Sequence, residues 1–378
     1  MAPNVKDVTS GVLYEHEEVP DYTRVIAQDA AKTPPKSYRE LQPILWDRVV
    51  AHALVHLTAI YTLTLVFSGE VKLLTLAWAG VLFFLGSMGI LVGAHRLWSH
   101  RTFRAKLPTR IALALMQVIS WQGSIFRWSV DHRTHHKFVE TDADHVNARR
   151  GFFFSHIGWL LMKKHPDVAK YGKMVDMSDM IADPVVYYQH KYYYAVWPFM
   201  FYLIPVAVPM YAWGETHTNA FLVAVVLRFV VGLNATFLVN SAAHAFGSRP
   251  YDATIAAREN PLVSFIVGGE GYHNYHHVFP WDYQASEIGN YVTNPAGMCI
   301  DFLAAIGQAT DLKTVNKDMI NARSVRTGDG TRPVWGWGDA DLSREHKGMA
   351  VISNVVEELG QARTGLPLGP TGCAAIAG

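Results

Sequence analysis

The chain has 378 residues, half of them hydrophobic and only 17% charged, with a mean hydropathy of +0.09. Soluble domains carry about 25% charged residues, so this composition excludes disorder, collagen and coiled coil. Lys plus Arg is 33 against 32 Asp plus Glu, and Cys299 and Cys373 are the two cysteines; neither a nucleic-acid footprint nor a disulfide framework or Cys-based zinc finger is expected.

Residues 1–45 are polar and contain no apolar stretch, so no cleavable signal peptide is expected there. Ala2 excludes an N-myristoyl site, and the place of Cys373 excludes a C-a-a-X box. Four long apolar runs come next, 49–67, 73–94, 193–212 and 221–238. Each is near the roughly 20 residues that cross a bilayer core. The third carries Pro198, Pro205 and Pro209, and the fourth carries Arg228 and Asn234. A shorter run, 111–126, holds Gln117, Gln122 and Ser124 and reads as interfacial or packed on protein. Only 68–72 separates the first two runs and 213–220 the last two, so the runs pair as two helical hairpins. The intervening segment, 95–192, is rich in cations, among them Arg96, Arg101, Arg104, Lys163 and Lys164. The positive-inside rule places it, with both termini, in the cytosol. Arg228 is costly in lipid and is expected to face the bundle interior or to snorkel.

The reading is an all-α integral membrane protein with four transmembrane helices and a cytosolic helical cap. Residues 1–45 form a cytosolic N-terminal segment and 46–310 the main domain, with its cap at 95–192 and 239–310. Residues 311–378 form a cytosolic tail. The tail contains V-W-G-W-G-D at 334–339, and its last dozen small residues are expected to be disordered.

Histidine carries the chemistry. His95 and His100 lie in H-R-L-W-S-H, His132, His135 and His136 in H-R-T-H-H, Asn240 and His244 in N-S-A-A-H, and His273, His276 and His277 in H-N-Y-H-H. Positions i, i+3 and i+4 share one helix face, which lets several neutral imidazoles bind one centre. His95 and His100 are five apart, about 140° on a straight α-helix, so the helix is expected to bend or end between them. All four clusters fall on one side of the expected bundle, and nine imidazoles are too many for one ion, so two metals are implied. Imidazole suits Zn, Cu, Fe and Ni alike. His16, His145, His156, His165, His190, His217 and His346 read as structural or solvated, and His52 and His56 as polar contacts between helices. A metal transporter is disfavoured because the spans hold few polar residues.

At these motifs, and at E-T-D-A-D (140–144), R-G-F-F-F-S-H-I-G-W-L-L (150–161) and G-E-G-Y-H-N-Y-H-H-V-F-P-W-D-Y (269–283), the chain resembles the membrane fatty acyl-CoA desaturases of the stearoyl-CoA (delta-9) type. Insect members, including moth pheromone-gland desaturases, are closest in style. The resemblance implies two irons held by His95, His100, His132, His135, His136, His244, His273, His276 and His277, with Asn240 reaching one through water. It implies that O₂ and two electrons remove two hydrogens from adjacent methylenes of a fatty acyl-CoA. The electrons would come from cytochrome b5 and its NADH-dependent reductase, in the endoplasmic reticulum membrane. Asp131, Glu140, Asp142, Asp144 and Glu270 are candidates to orient the ligands.

By the same resemblance Gln122, Trp128 and Thr236 shape a bend in an acyl tunnel, Phe83 and Ser87 close its far end, and Lys163 and Lys164 lie near the CoA phosphates. The chain departs from the family pattern at Gly123 and Ser124 (usually Asn and Asp), Val130 (usually Arg), Phe237 (often Trp) and Asp47 and Arg48 in place of an Arg-Asn pair. These departures leave open a desaturase of altered regiospecificity, a conjugase, or a di-iron acyl hydroxylase.

Overall fold

The computed structural model describes residues 42–332 and 344–349. The segment 1–41, the V-W-G-W-G-D stretch and the last dozen residues lie outside the described residues. Among the described residues four helices are long and apolar enough to cross a membrane: α1 (Trp46–Phe67), α2 (Leu73–Ser99), α5 (Tyr193–Trp213) and α6 (His217–Ala245). Between and after them lie α3 (Leu107–Ile119), α4 (Ile125–Phe138), α7 (Pro261–Val267), α8 (His273–Val278), α9 (Pro295–Ala305) and α10 (Lys317–Thr327), with several shorter turns of helix. Among the described residues the all-α reading holds apart from one antiparallel pair of two-residue strands, β1 (Arg104–Ala105) and β2 (Ala309–Thr310).

In α1 only Ala59, Thr62 and Leu65 are buried, while Leu54, Leu57, Ile60 and Phe67 are exposed. A helix that is apolar all round yet barely covered by protein fits lipid as its solvent. Helix α6 is more enclosed, with both polar residues of its run used. Asn234 donates from Nδ2 to His56 Nε2 at 3.0 Å, the helix-to-helix contact expected of His56. Arg228 is 6% exposed and turns into the bundle, as its cost of about 2.5–3.5 kcal/mol at a bilayer centre requires.

The two short connections meet at one end of the bundle. Glu215 accepts from Lys72 N at 3.0 Å and Thr75 Oγ1 at 2.8 Å, and Lys72 Nζ donates to the carbonyls of Trp213 and Gly214. His95 and His244 stand near the other ends of α2 and α6, so the histidines gather at the opposite end of the bundle.

The run 111–126 is not one helix. Helix α3 stops at Ile119, and Trp121 (φ 50°) and Gly123 (φ 85°) turn the chain through the left-handed region before Ser124 caps α4 by accepting from Arg127 N. One face of α3 packs on α2. At Gly89 the two backbones approach so closely that a Cβ would collide with Gln117.

The compact body runs to Arg332, so the boundary drawn at residue 310 falls inside it. Composition hides this because α10 is mostly polar and its Met319 and Val325 are exposed; Ile320, 3% exposed, packs on Tyr251, Tyr275 and Phe279. Of the second unit, 333–378, the described residues form the helix Arg344–Met349.

Candidate metal centre and cavity

The end of α2 solves the spacing of His95 and His100. From Gly89 to Ser99 the helix widens to i→i+5 hydrogen bonding, and His100 N donates to His95 O at 3.1 Å. A wide turn of this kind sets residues five apart on one side, and such turns recur at functional sites. The helix ends between the two, as the spacing predicts. Helix α4 presents His132, His135 and His136, α6 presents His244, and α8 presents His273, His276 and His277.

All nine histidines converge, in two sets. His95, His100, His132, His136 and His276 form one, and His135, His244, His273 and His277 the other. Within each set one ring nitrogen per residue lies within 4.8 Å of the others. The Nε2 atoms of His100 and His132 are 2.7 Å apart, those of His95 and His276 3.0 Å, and those of His276 and His136 3.0 Å. In the second set His277 Nε2 lies 3.0 Å from His273 Nε2 and 3.3 Å from His135 Nε2.

This donor set fits a metal. Burial first, and then the neighbouring imidazoles, push His100, His132, His136, His273, His276 and His277 well below the ordinary histidine value. They are therefore neutral, the form that ligates. Neutral rings with converging Nε2 atoms cannot satisfy one another pairwise, because His276 Nε2 faces two partners at once. Neither nitrogen of His244 has a hydrogen-bond partner among the described residues. A cation at the centre of each set removes that deficit.

Two carboxylates orient the rings from behind. His95 Nδ1 lies 3.0 Å from Glu270 Oε2, and His135 Nδ1 lies 2.9 Å from Asp144 Oδ1. Each fixes the proton on Nδ1 and turns Nε2 toward the centre. Glu270 also accepts from Arg96 Nη2 at 3.1 Å. Burial would raise the Glu270 carboxyl, but His95 and Arg96 outweigh it and hold it at about 2. Burial likewise opposes ionisation of Asp144, and His135 outweighs it and lowers the carboxyl. Of the other three acids, Asp131 pairs with Lys164, Glu140 with Arg149, and Asp142 is exposed. Arg96, one of the cations of the segment 95–192, is fully buried, and it also donates to Tyr283 O and Asn294 Oδ1.

A cavity of about 900 Å³ reaches the site. Gln122, Trp128, Thr236, Phe237 and Asn240 all line it, beside His132 and His135. Gln122 Nε2 donates to Thr236 Oγ1 at 2.9 Å, and the Trp128 ring stacks on His132 at 4.7 Å. Phe83 and Ser87 line a second cavity of about 30 Å³, which shares Gln122, Phe229 and Thr236 with the first. The two cavities therefore meet at the Gln122–Thr236 pair.

The lysines divide. Lys164 lines the large cavity and reaches both Asp131 oxygens at 2.9 Å. Lys163 does not line it; its side chain is exposed and its backbone N–H donates to Pro43 O. Among the departures, Arg48, Gly123 and Ser124 line the cavity, whereas Val130 packs on the core around α2. His52, His145 and His190 also line it, and His190 Nδ1 lies 2.7 Å from Ser124 Oγ. A lone histidine carries no spacing signal, so its place at a cavity is not readable from the sequence.

A helical bundle of membrane-spanning length with two histidine clusters and an adjoining cavity defines an integral membrane metalloprotein. The fatty acid desaturase family matches residues 72–285. An acyl-CoA Delta-9 desaturase of Acheta domesticus is 48% identical over 93% of this chain and 98% of its own length. A stearoyl-CoA desaturase 5 of Homo sapiens is 52% identical over 78% of this chain and 88% of its own. An acyl-CoA Delta(11) desaturase of Trichoplusia ni is 46% identical over 93% and 97%. This chain belongs to the fatty acid desaturase family and is an oxidoreductase.

Proposed function

We propose that this chain is a fatty acyl-CoA desaturase that inserts a double bond using O₂ and two electrons at a histidine-held di-iron centre. The observation that carries the reading is the division of nine histidines into sets of five and four beside a cavity of about 900 Å³ that shares Gln122, Phe229 and Thr236 with a smaller one. His95, His100, His132, His136 and His276 would hold one iron. His135, His244, His273 and His277 would hold the other, with Asn240 near it. Iron when bound supplies, with O₂ and the electrons, an oxidant able to take hydrogen from an unactivated methylene.

The chain's own residues supply position and shelter. Gln122 and Thr236 fix the bend, Trp128 lays its ring on His132, and Phe237 adds an apolar wall that helps exclude water. Glu270 and Asp144 hold two ligands in one tautomer. Lys164 would meet the anionic end of an acyl-CoA at the cavity mouth, in competition with Asp131.

The reaction is assigned to residues 46–310, supported from behind by 311–332. The orientation is cytosolic for cap and termini, in the endoplasmic reticulum membrane, with cytochrome b5 and its NADH-dependent reductase as electron donors. The cation-rich segment 95–192 supports this side.

Relatives with Delta-9 and Delta(11) names stand at 48% and 46% identity, so overall similarity does not select the carbon. The test is expression in yeast lacking its own delta-9 desaturase, with fatty acids profiled by gas chromatography and mass spectrometry after double-bond derivatisation. A new monoene is expected. A conjugated diene would instead show a conjugase, and a hydroxy acid a hydroxylase.

The far end of the tunnel gives a second prediction. Ser87→Phe fills the small cavity and removes room for about two methylenes. At roughly 0.8 kcal/mol per methylene, kcat/KM for the longest accepted acyl chain falls about tenfold, while a chain two carbons shorter is unaffected. Product chain-length ratios from mixed saturated precursors measure it.

A further inference from the structure

Arg228 lies in the middle of α6 and lines the smaller cavity. Its Nη1 donates to Ile119 O at 2.8 Å, its Nε donates to Ala224 O at 2.6 Å, and the guanidinium faces the Phe201 ring at 5.3 Å. Its Nη2 has no hydrogen-bond partner among the described residues. Ile119 ends α3, so its carbonyl is one that the helix itself leaves unpaired. A cation at that end also complements the helix dipole.

Ile119 leads directly into the turn that carries the bend, residues 120–123. Trp121 stands at φ 50° within that turn, a conformation that a bulky residue holds only when its surroundings fix it. Two side chains of α6 fix this turn. Arg228 holds its beginning at Ile119 O, and Thr236, eight residues further along the same helix, holds Gln122 Nε2 at 2.9 Å. Helix α6 thus holds the turn at Ile119 O and at the Gln122 side chain, while Gln117 of α3 donates from Nε2 to Gly123 O at 2.6 Å, so the two α6 contacts tie the bend to the helix that also carries His244. A displacement of about 1 Å at a reacting centre changes rates by up to about a hundredfold, so the clamp is placed where it can choose between adjacent methylenes.

We infer that Arg228 is a positioning residue for regiochemistry: by holding Ile119 O it sets the height of the Gln122–Thr236 bend and so selects the carbon that is desaturated. The inference rests on the desaturase reading above. A residue that only stabilised the bundle would change how much product forms, not where its double bond lies.

The experiment compares the full chain with Arg228→Met and Arg228→Lys in the yeast assay, reading the ratio of the principal double-bond isomer to its neighbours. Loss of a charge-assisted hydrogen bond is expected to lower that ratio about tenfold in the Met variant, with partial recovery in the Lys variant. An unchanged ratio in the Met variant, at whatever yield, overturns the inference. If the Met variant makes no product, the Lys variant decides: a shifted ratio supports the clamp and an unchanged one overturns it. Absence of unsaturated product from the unaltered chain would overturn the desaturase reading itself.

Discussion

His135→Ala is expected to abolish product formation and to lower bound metal by about half, from two ions per chain to one. His135 belongs to the set of four, so its loss leaves three imidazoles. Its partner Asp144, 3% exposed, would lose a hydrogen bond but keep those from Glu140 N and Val146 N. The loop therefore stays anchored, and the chain should fold. The set of five shares no ligand with the set of four, so its ion should remain. His156→Ala is the control. His156 is a neighbouring histidine whose partners are Ser241 and Asn234, and its replacement should leave both ions in place. Metal analysis of purified protein, beside the product profile, measures both effects. Retention of two ions by the Ala variant would remove His135 from the ligands and break the proposed division.

The histidines were legible because helical spacing is local. H-R-T-H-H and H-N-Y-H-H each state in five letters that three rings share a face, and the apolar runs put all four clusters at one end of the bundle. The division into five and four was not legible. H-R-T-H-H gives His132 and His136 to one set and His135 to the other, while H-N-Y-H-H gives His276 to the first and His273 and His277 to the second. Which ring turns to which centre depends on how α4 and α8 cross, and no local pattern records that. The widened turn at the end of α2 was visible only as an awkward spacing of five. The structure supplies its cause, a run of i→i+5 bonds ending at His100.

Charged residues were the least legible. Arg96 sits in a segment that reads only as rich in cations, yet it is fully buried, with its Nη1 and Nη2 donating to the Tyr283 carbonyl, Glu270 and Asn294. Those partners lie 174 to 198 residues away in sequence. Glu270 was recoverable only as one of five candidate acids, since a single carboxylate beside a histidine motif looks the same whether it faces solvent or a ligand. Arg228 was the exception. Lipid leaves a charge few choices, so its inward turn was readable from the sequence.

The Glu270→Gln variant should show how far the metal site depends on this buried pair. Glu270 presents two oxygens to two donors, His95 Nδ1 at 3.0 Å and Arg96 Nη2 at 3.1 Å. An amide has one acceptor oxygen, so one of the donors would face an NH₂ group. In either orientation the fully buried Arg96 guanidinium loses its counter-charge, which in buried pairs costs about 3–5 kcal/mol. If His95 is deprived, its tautomer is released and metal affinity should fall about 10–100-fold. Thermal unfolding of the metal-free chain reads the first effect and metal titration the second, and at least one must appear. Arg96→Met combined with Glu270→Gln should cost less than the sum of the single changes, because both act on the same contact. A Glu270→Gln chain that unfolds and binds metal as the unaltered one does would show that His95 is oriented by packing alone. The carboxylate would then have no part in building the site.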